Sequence, residues 1–434
     1  MRHIKFVYPS WNRPTDCHPE LADVEAHPYI GTPSMAAASL AACTPPGWRC
    51  TFADDRVERI EPGPGPDLVA IPIFTPAADR ALELADGYRA AGVPVAAGGI
   101  FTSLMPEVVA PHVDAICIGE GESVWPRMLH DLANGGMKPV YRATDCPWDL
   151  STAPVPKYEL YLDWVDAQRD SGLAINPAVD FPLQLSRGCP MPCSHCVVPH
   201  YMGPKLRLYP PEYIRACFEK FQEMGGRRGA TLTEDTTILP VKKVQQHLID
   251  VAKACEDLDT EIAYIGSGPE FIHAAPKSFW DAMRSLNVHM VYLMFGFGHT
   301  SRDSTSMNAT PAQLQAAADT VKVIQDEGLE VYGSFSIGHD TEDESVYDRV
   351  LDICRLGNIE VAEFAMATPY PGTREWKRLT KQDRILGRPW GDYNDANVVY
   401  QPKNMSPDTL QQVYINLWKD FHAGRERSKW PVQI

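Results

Sequence analysis

The stretch Gln184-Leu185-Ser186-Arg187-Gly188-Cys189-Pro190-Met191-Pro192-Cys193-Ser194-His195-Cys196 carries three thiols at the spacing C-x3-C-x2-C. The residues that lead into it, PLQLS, read as a strand, so the thiols lie in the loop at that strand's C-terminal end. Arg187 and Gly188 precede the first thiol, and Pro190 and Pro192 stiffen the loop. Iron–sulfur clusters are held by thiolates. A four-iron cube bound by three thiolates keeps one iron open to the amino group and carboxylate of a small molecule. The methionyl end of S-adenosylmethionine (SAM) offers both. One electron from such a cube can break a carbon–sulfur bond of SAM and leave a carbon radical. The competing reading is structural zinc, which takes four ligands. The fourth would be His195 or His200.

Working outward, six strand candidates follow from Phe181: PLQLS, ATLT, EIAYIG, HMVYLMF, EVYGSFSI and EVAEFAM. Helical patterns such as PEYIRACFEKFQEM and PAQLQAAADTVKVIQDEG separate them. Six β/α units are too few for a closed eight-stranded barrel. They predict an open, partial (β/α)6 barrel over residues 181–375, with its site at the C-terminal strand ends. Residues 376–434 contain one helix pattern, TLQQVYINLWKDFHAG, and predict a small capping region.

Upstream, residues 1–145 alternate strands (HIKFVYPS, WRCTFADD, DLVAIPIF, VPVAAGG, AICIGEGE) with helices (SMAAASLAAC, AADRALELADGYRAAG). That order predicts a Rossmann-like parallel sheet covered on both faces, within an α/β fold. Residues 146–180 are rich in proline and aromatics without a period and read as a linker packing on both halves. The stretch Trp11–Thr32 reads either as a solvated loop or, through Asp16, Cys17, His18 and Glu20, as a source of substrate contacts.

The chain of 434 residues is 44% hydrophobic and 22% charged, as folded proteins are. Its net charge of −16 argues against a general nucleic-acid binder, which needs a basic face. No apolar run is long enough to span a membrane and no signal peptide is apparent, so a cytoplasmic enzyme is expected. Eleven cysteines, an odd number, do not suggest a disulfide framework. Cys217 and Cys354 fall on helical patterns and read as small core residues.

The blocks GGIFTSLMPEVVAPHVDAICIGEGESVWPRML, QLSRGCPMPCSHCVVP, ATPYPGT and YNDANVVYQPKNMSPDTLQQVY resemble the radical SAM superfamily, in its subgroup with an N-terminal cobalamin-binding domain. The resemblance covers most of residues 1–420. It implies a 4Fe-4S cluster on Cys189, Cys193 and Cys196. It places SAM near His195, Glu234 and Asp235 after the second strand, Ser267 after the third, and Ser334 and Ile337 on the fifth. Cobalamin would lie near Thr75, Gly98, Gly99, Gly119 and Glu120, and substrate near Tyr370. Three departures stand out. His195 replaces the usual aromatic residue before the third cysteine. Gly296-Phe297-Gly298 replaces Gly-Phe-Glu. The cobalt-ligating pattern Asp-x-His-x-x-Gly is absent, since Asp16-Cys17-His18-Pro19-Glu20 lacks its spacing.

The activity so implied is a cobalamin-dependent radical SAM methyltransferase acting on an unactivated carbon of a small molecule. One SAM methylates cobalamin, and a second gives the 5′-deoxyadenosyl radical that removes a hydrogen from the substrate. An external electron donor such as flavodoxin or ferredoxin is implied. Without cobalamin, the same cluster suits rearrangement, cyclisation or transfer of the 3-amino-3-carboxypropyl group. A non-catalytic iron–sulfur or zinc scaffold is the reading from another class.

Overall fold

The computed structural model describes residues 1–24, 32, 34–143, 148–163, 181–225, 229–233, 242–273, 275–296 and 309–425. They organise around two six-stranded parallel sheets. The first contains β1 (Arg2–Tyr8), β2 (Trp48–Asp54), β3 (Leu68–Pro72), β4 (Val95–Gly98), β5 (Ala115–Ile118) and β6 (Val140–Arg142), in the order β2-β1-β3-β4-β5-β6. Strand β6 goes beyond the sequence reading. Its three residues VYR, with only Tyr141 buried, are too short for a period to register.

Side chains alternate across a strand, so neighbouring residues enter different cores. Ile4, Phe6, Leu68 and Ala70 join a core that continues into the second sheet. Val7, Val69 and Ile71 join a separate core with Ala81, Leu84 and Ala85 of the helix Ala78–Ala90. Apolar residues on both faces explain why LVAI reads as a continuous apolar run.

The second sheet follows chain order: β7 (Phe181–Leu183), then β10 (Gly229–Leu232), β11 (Glu261–Ser267), β12 (Val288–Phe295), β13 (Glu330–Ile337) and β14 (Val361–Met366). The segment PLQLS splits. Phe181–Leu183 stays in the sheet, while β8 (Ser186–Arg187) leaves it and pairs antiparallel with β9 (Arg207–Leu208). One face of the sheet carries stacked Phe295, Phe335 and Phe364, and Phe364 meets Trp418 and Phe421 of the helix Pro407–His422. The opposite face carries Tyr292, Tyr332, Ser334 and Glu363.

The connecting segment packs on both halves. Tyr158 lies against Phe181 and Phe221 of the second half. Tyr161 meets Phe52 of β2 edge-on, and its hydroxyl donates to the Ser34 carbonyl (2.6 Å) and accepts from Ala38 N–H (3.1 Å). Both tyrosines are fully buried. The loop after β1 returns to the tail: Asn394 and Asn397 amides donate to Cys17 Sγ at 3.2 and 3.3 Å, and Gln411 Nε2 lies 3.1 Å from His18 Nε2. Among the described residues, no helix is long and apolar enough to cross a membrane.

Candidate active site between the two sheets

The order of the first sheet reverses at β1, which has β2 on one side and β3 on the other. Open α/β sheets form their ligand crevice at such a point, beyond the C-terminal strand ends. A cavity of about 380 Å3 occupies this place. Tyr8, Ile73, Phe74 and Gly98 form part of its wall on the first-sheet side. Gln184, Arg187 and Thr233 close it from the second half.

Three of the five expected cobalamin contacts, Gly98, Gly99 and Gly119, line this cavity; Thr75 and Glu120 do not. The two adjacent glycines have different reasons to be there. A Cβ on Gly99 would sit 2.7 Å from the Ile73 carbonyl oxygen, and its φ of +90° already disfavours other residues. A Cβ on Gly98 would meet only Cys117, at 3.7 Å. Gly99 therefore serves the packing of the chain itself, whereas Gly98 keeps the cavity open. Thr75 is buried at the start of the short turn Thr75–Ala77, which packs against Trp390–Asp392.

Glu120 turns away from the cavity into an ion network. Its Oε1 accepts from Arg187 (3.1 Å) and Arg207 (3.0 Å), and its Oε2 from Arg207 (2.9 Å) and Trp148 N–H (3.0 Å). Glu122 accepts from the other arm of Arg187 at 2.6 Å. Burial by itself raises the Glu122 carboxyl, but Arg187 and Arg207 outweigh it and hold the group below its ordinary value.

The three-thiol loop hangs from the β8–β9 ribbon. Gly188 opens it with φ +80°, and a Cβ there would lie 2.5 Å from the Lys205 carbonyl oxygen. Cys189 N–H donates to the Gly203 carbonyl at 3.2 Å, closing the loop on itself. A second anchor comes from the ATPYPGT block. Thr373 caps the helix Arg374–Lys381 by accepting from Trp376 N–H at 3.1 Å. Arg374 then donates to the Pro192 carbonyl, and Glu375 N–H to the Ser194 carbonyl at 2.9 Å. Cys189 is buried, while Cys193, His195 and Cys196 are partly exposed. The Cys193 thiol is pushed up to about 12 by burial and by the neighbouring Cys196 and Cys189. Cys196 and Cys189 thus lie near enough to Cys193 to oppose its ionisation, a repulsion that a bound cationic centre would relieve. Among the described residues, no three His, Cys, Asp or Glu side chains converge as single-ion ligands do. Three thiols on one loop are the donor chemistry that iron–sulfur clusters take.

The second sheet contributes polar groups. Ser267, at the end of β11, is buried and donates to the Gly268 carbonyl (3.1 Å), and Ile337 is buried at the end of β13. Ser334 bonds both Tyr292 (2.8 Å) and Glu363 (3.1 Å), and Tyr332 donates to the other Glu363 oxygen at 2.7 Å. Ser334 is thus held within a phenol–carboxylate group. Tyr370 hydrogen-bonds Asp395, whose carboxyl is raised to about 6 by burial, against the opposing effect of Tyr370 and Thr368. Glu234, Asp235, Phe297 and Gly298 lie outside the described residues.

Sequence reasoning passed over Arg207, Glu363 and Asp395. Glu363 left a signal, since a carboxylate inside the buried strand EVAEFAM needs partners. Arg207 and Asp395 left none, because their partners lie far away in the chain.

No family model matches the chain. It is 24% identical to the bacteriochlorophyllide d C-8(2)-methyltransferase of Chlorobaculum tepidum over 416 residues, covering 90% of this chain and 86% of that protein. It is 25% identical to the bacteriochlorophyllide d C-12(1)-methyltransferase of the same organism over 380 residues, 86% of this chain and 79% of the relative. Among solved structures, the fold matches the radical SAM methyltransferase TsrM from Kitasatospora setae with cobalamin and a 4Fe-4S cluster bound. That match has a TM-score of 0.62 at 15% identity, over 88% of this chain and 75% of that one. It matches the cobalamin-dependent SAM radical enzyme OxsB equally well, with a TM-score of 0.62 at 13% identity, over 95% of this chain and 66% of that one.

Proposed function

We propose that this chain is a radical SAM methyltransferase that uses a 4Fe-4S cluster, SAM and cobalamin to methylate an unactivated carbon of a small molecule. The observation that carries this reading is a juxtaposition. The cavity at the reversal point of the first sheet has as its opposite wall Arg187, two residues before the first of the three clustered thiols. The names of the relatives and the fold of the cobalamin-bound neighbours support it.

Residues 1–145 act as the cobalamin-binding domain and 181–375 as a partial (β/α)6 barrel. Residues 146–180 join the two, and 376–434 cap the barrel. Bound in these places, the cluster supplies the electron that opens a carbon–sulfur bond of SAM, and cobalamin carries the methyl group. The residues of the chain do the rest. Cys189, Cys193 and Cys196 would hold the cluster through their thiolates and leave it open to SAM. His195 would stack beside SAM, with Ser267, Ser334 and Ile337 lining the rest of its site. Gly98 and Gly119 keep the cavity wall low enough for the corrinoid to approach. Tyr370, supported by Asp395, faces substrate. Holding three partners in line and excluding water are the protein's main contributions. A small acidic electron carrier such as flavodoxin or ferredoxin reduces the cluster, and the protein works in the cytoplasm.

The test is anaerobic reconstitution with iron, sulfide and hydroxocobalamin. The expected result is a bound corrinoid spectrum and release of both 5′-deoxyadenosine and S-adenosylhomocysteine from SAM with a low-potential reductant. Release of 5′-methylthioadenosine in their place would move the assignment to aminocarboxypropyl transfer.

A further inference from the structure

Four charged side chains, three buried and Arg207 partly so, meet where the first sheet's last cavity loop touches the three-thiol loop. Arg187, Glu120 and Glu122 are 3, 5 and 7% exposed. Burying charges is costly, and removing one partner leaves the other uncompensated. Here both Glu120 oxygens and both arms of Arg187 are engaged. The bonds continue beyond the charges. Arg187 Nε donates to Gln184 Oε1 at 3.1 Å, and Gln184 Nε2 donates to the Thr233 carbonyl at 3.0 Å. One connected set therefore starts at the β5 loop carrying Gly119 and Gly121. It passes through residue 187 and ends at the tip of β10. The shared apolar core already joins the two halves. What a guanidinium fork adds is a fixed orientation, because its donors match two carboxylates in one plane.

We propose that Arg187, with Glu120, Glu122 and Arg207, is a positioning clamp. It sets the three-thiol loop in register with the cavity of the first sheet and with the strand end at Thr233. This inference rests on the proposed function for its consequence in catalysis, and on geometry alone for the coupling of the loops. The four side chains act through the loops they hold.

The test uses full-length protein loaded anaerobically with iron, sulfide and hydroxocobalamin. In the double variant Arg187→Met/Glu122→Leu the ion pair becomes an apolar pair of similar size, a change that is often neutral or stabilising for a fold. Arg207 still compensates Glu120. The expected outcome is a retained melting temperature and iron content, with faster hydrogen–deuterium exchange in residues 119–122 and 186–209 together. With SAM and titanium citrate, release of S-adenosylhomocysteine relative to 5′-deoxyadenosine should change by roughly tenfold or more, as misplaced reactants require. Unchanged exchange in the thiol loop together with the parent's product ratio would overturn the clamp. Should the double variant fail to load iron, Arg187→Lys, which keeps the charge and loses the fork, is read by the same criteria. If the parent protein itself binds no hydroxocobalamin and cleaves no SAM, the proposed function fails separately. Exchange in the single variant Arg187→Lys, which leaves residues 119–122 unsubstituted, then decides the clamp: a joint rise in both loops supports it, and a rise confined to residues 186–209 sinks it.

Discussion

The two sheets are built from the same unit, a parallel strand followed by a helix, yet they make their sites differently. The first reverses direction at β1, and the reversal leaves a crevice whose walls are mostly apolar side chains and glycines. The second runs in chain order without a reversal and presents a face of phenols, a serine and a carboxylate. The first sheet offers shape, the second offers donors and acceptors, and the β8–β9 ribbon beside it carries the thiols. Winding order opens the crevice in the first half, and strand composition makes the polar face in the second.

The largest expected effect tests whether the chemistry belongs to the second half alone. Replacing Cys189, Cys193 and Cys196 together by alanine should remove iron and sulfide and abolish SAM cleavage, while hydroxocobalamin binding, read by its visible spectrum, persists. Loss of corrinoid binding in that variant would erase the division of labour drawn here. Next comes the joint between the regions. Tyr158→Ala should cost about 4 kcal/mol, as large aromatic truncations in cores do. Denaturant unfolding would then show whether the halves still melt as one; an unchanged midpoint would make the Tyr158 contacts with Phe181 and Phe221 irrelevant to stability.

A smaller effect sharpens the contrast within the first sheet. Gly99→Ala should cost about 3 kcal/mol, since strained backbone and a blocked Cβ act together. Gly98→Ala, in extended backbone with room for a Cβ, should leave stability equal or raise it by under about 1 kcal/mol, yet weaken hydroxocobalamin binding. Equal thermal shifts for the two variants would contradict the assignment of one glycine to packing and the other to ligand approach. The smallest effect concerns Asp395, raised to about 6 by burial. A carboxyl raised on folding stabilises the protein below its unfolded value, and that contribution is lost as pH rises through the folded value. Asp395→Asn should therefore flatten the melting temperature between about pH 4 and 6. Parallel pH profiles for parent and variant would show that Asp395 does not titrate in this window.

Much of this was legible in the chain itself. Five of the six strands of the first sheet and all six of the second appear as apolar runs or alternations, because burial of one or both strand faces leaves a local period. The thiol loop was legible because its three cysteines fall within eight residues of one another along the chain. The tyrosines of the connecting segment were legible as packing on both halves, though not by partner. The Glu120 side chain, expected at a ligand, is instead committed to Arg187 and Arg207, an alternative that no spacing of residues separated by 67 and 87 positions could suggest.

By itself, the sequence determined the two alternating halves, the three-thiol loop and the placement of glycines at strand ends, since each follows from neighbours along the chain. Only the tertiary structure decided that Gly99 serves the Ile73 backbone, that Glu363 gathers three hydroxyls from two neighbouring strands, and that four charges join the two halves. These depend on which strand ends lie side by side. Charge compensation and close packing act through space, and residues distant along the chain become neighbours only once the sheets have wound.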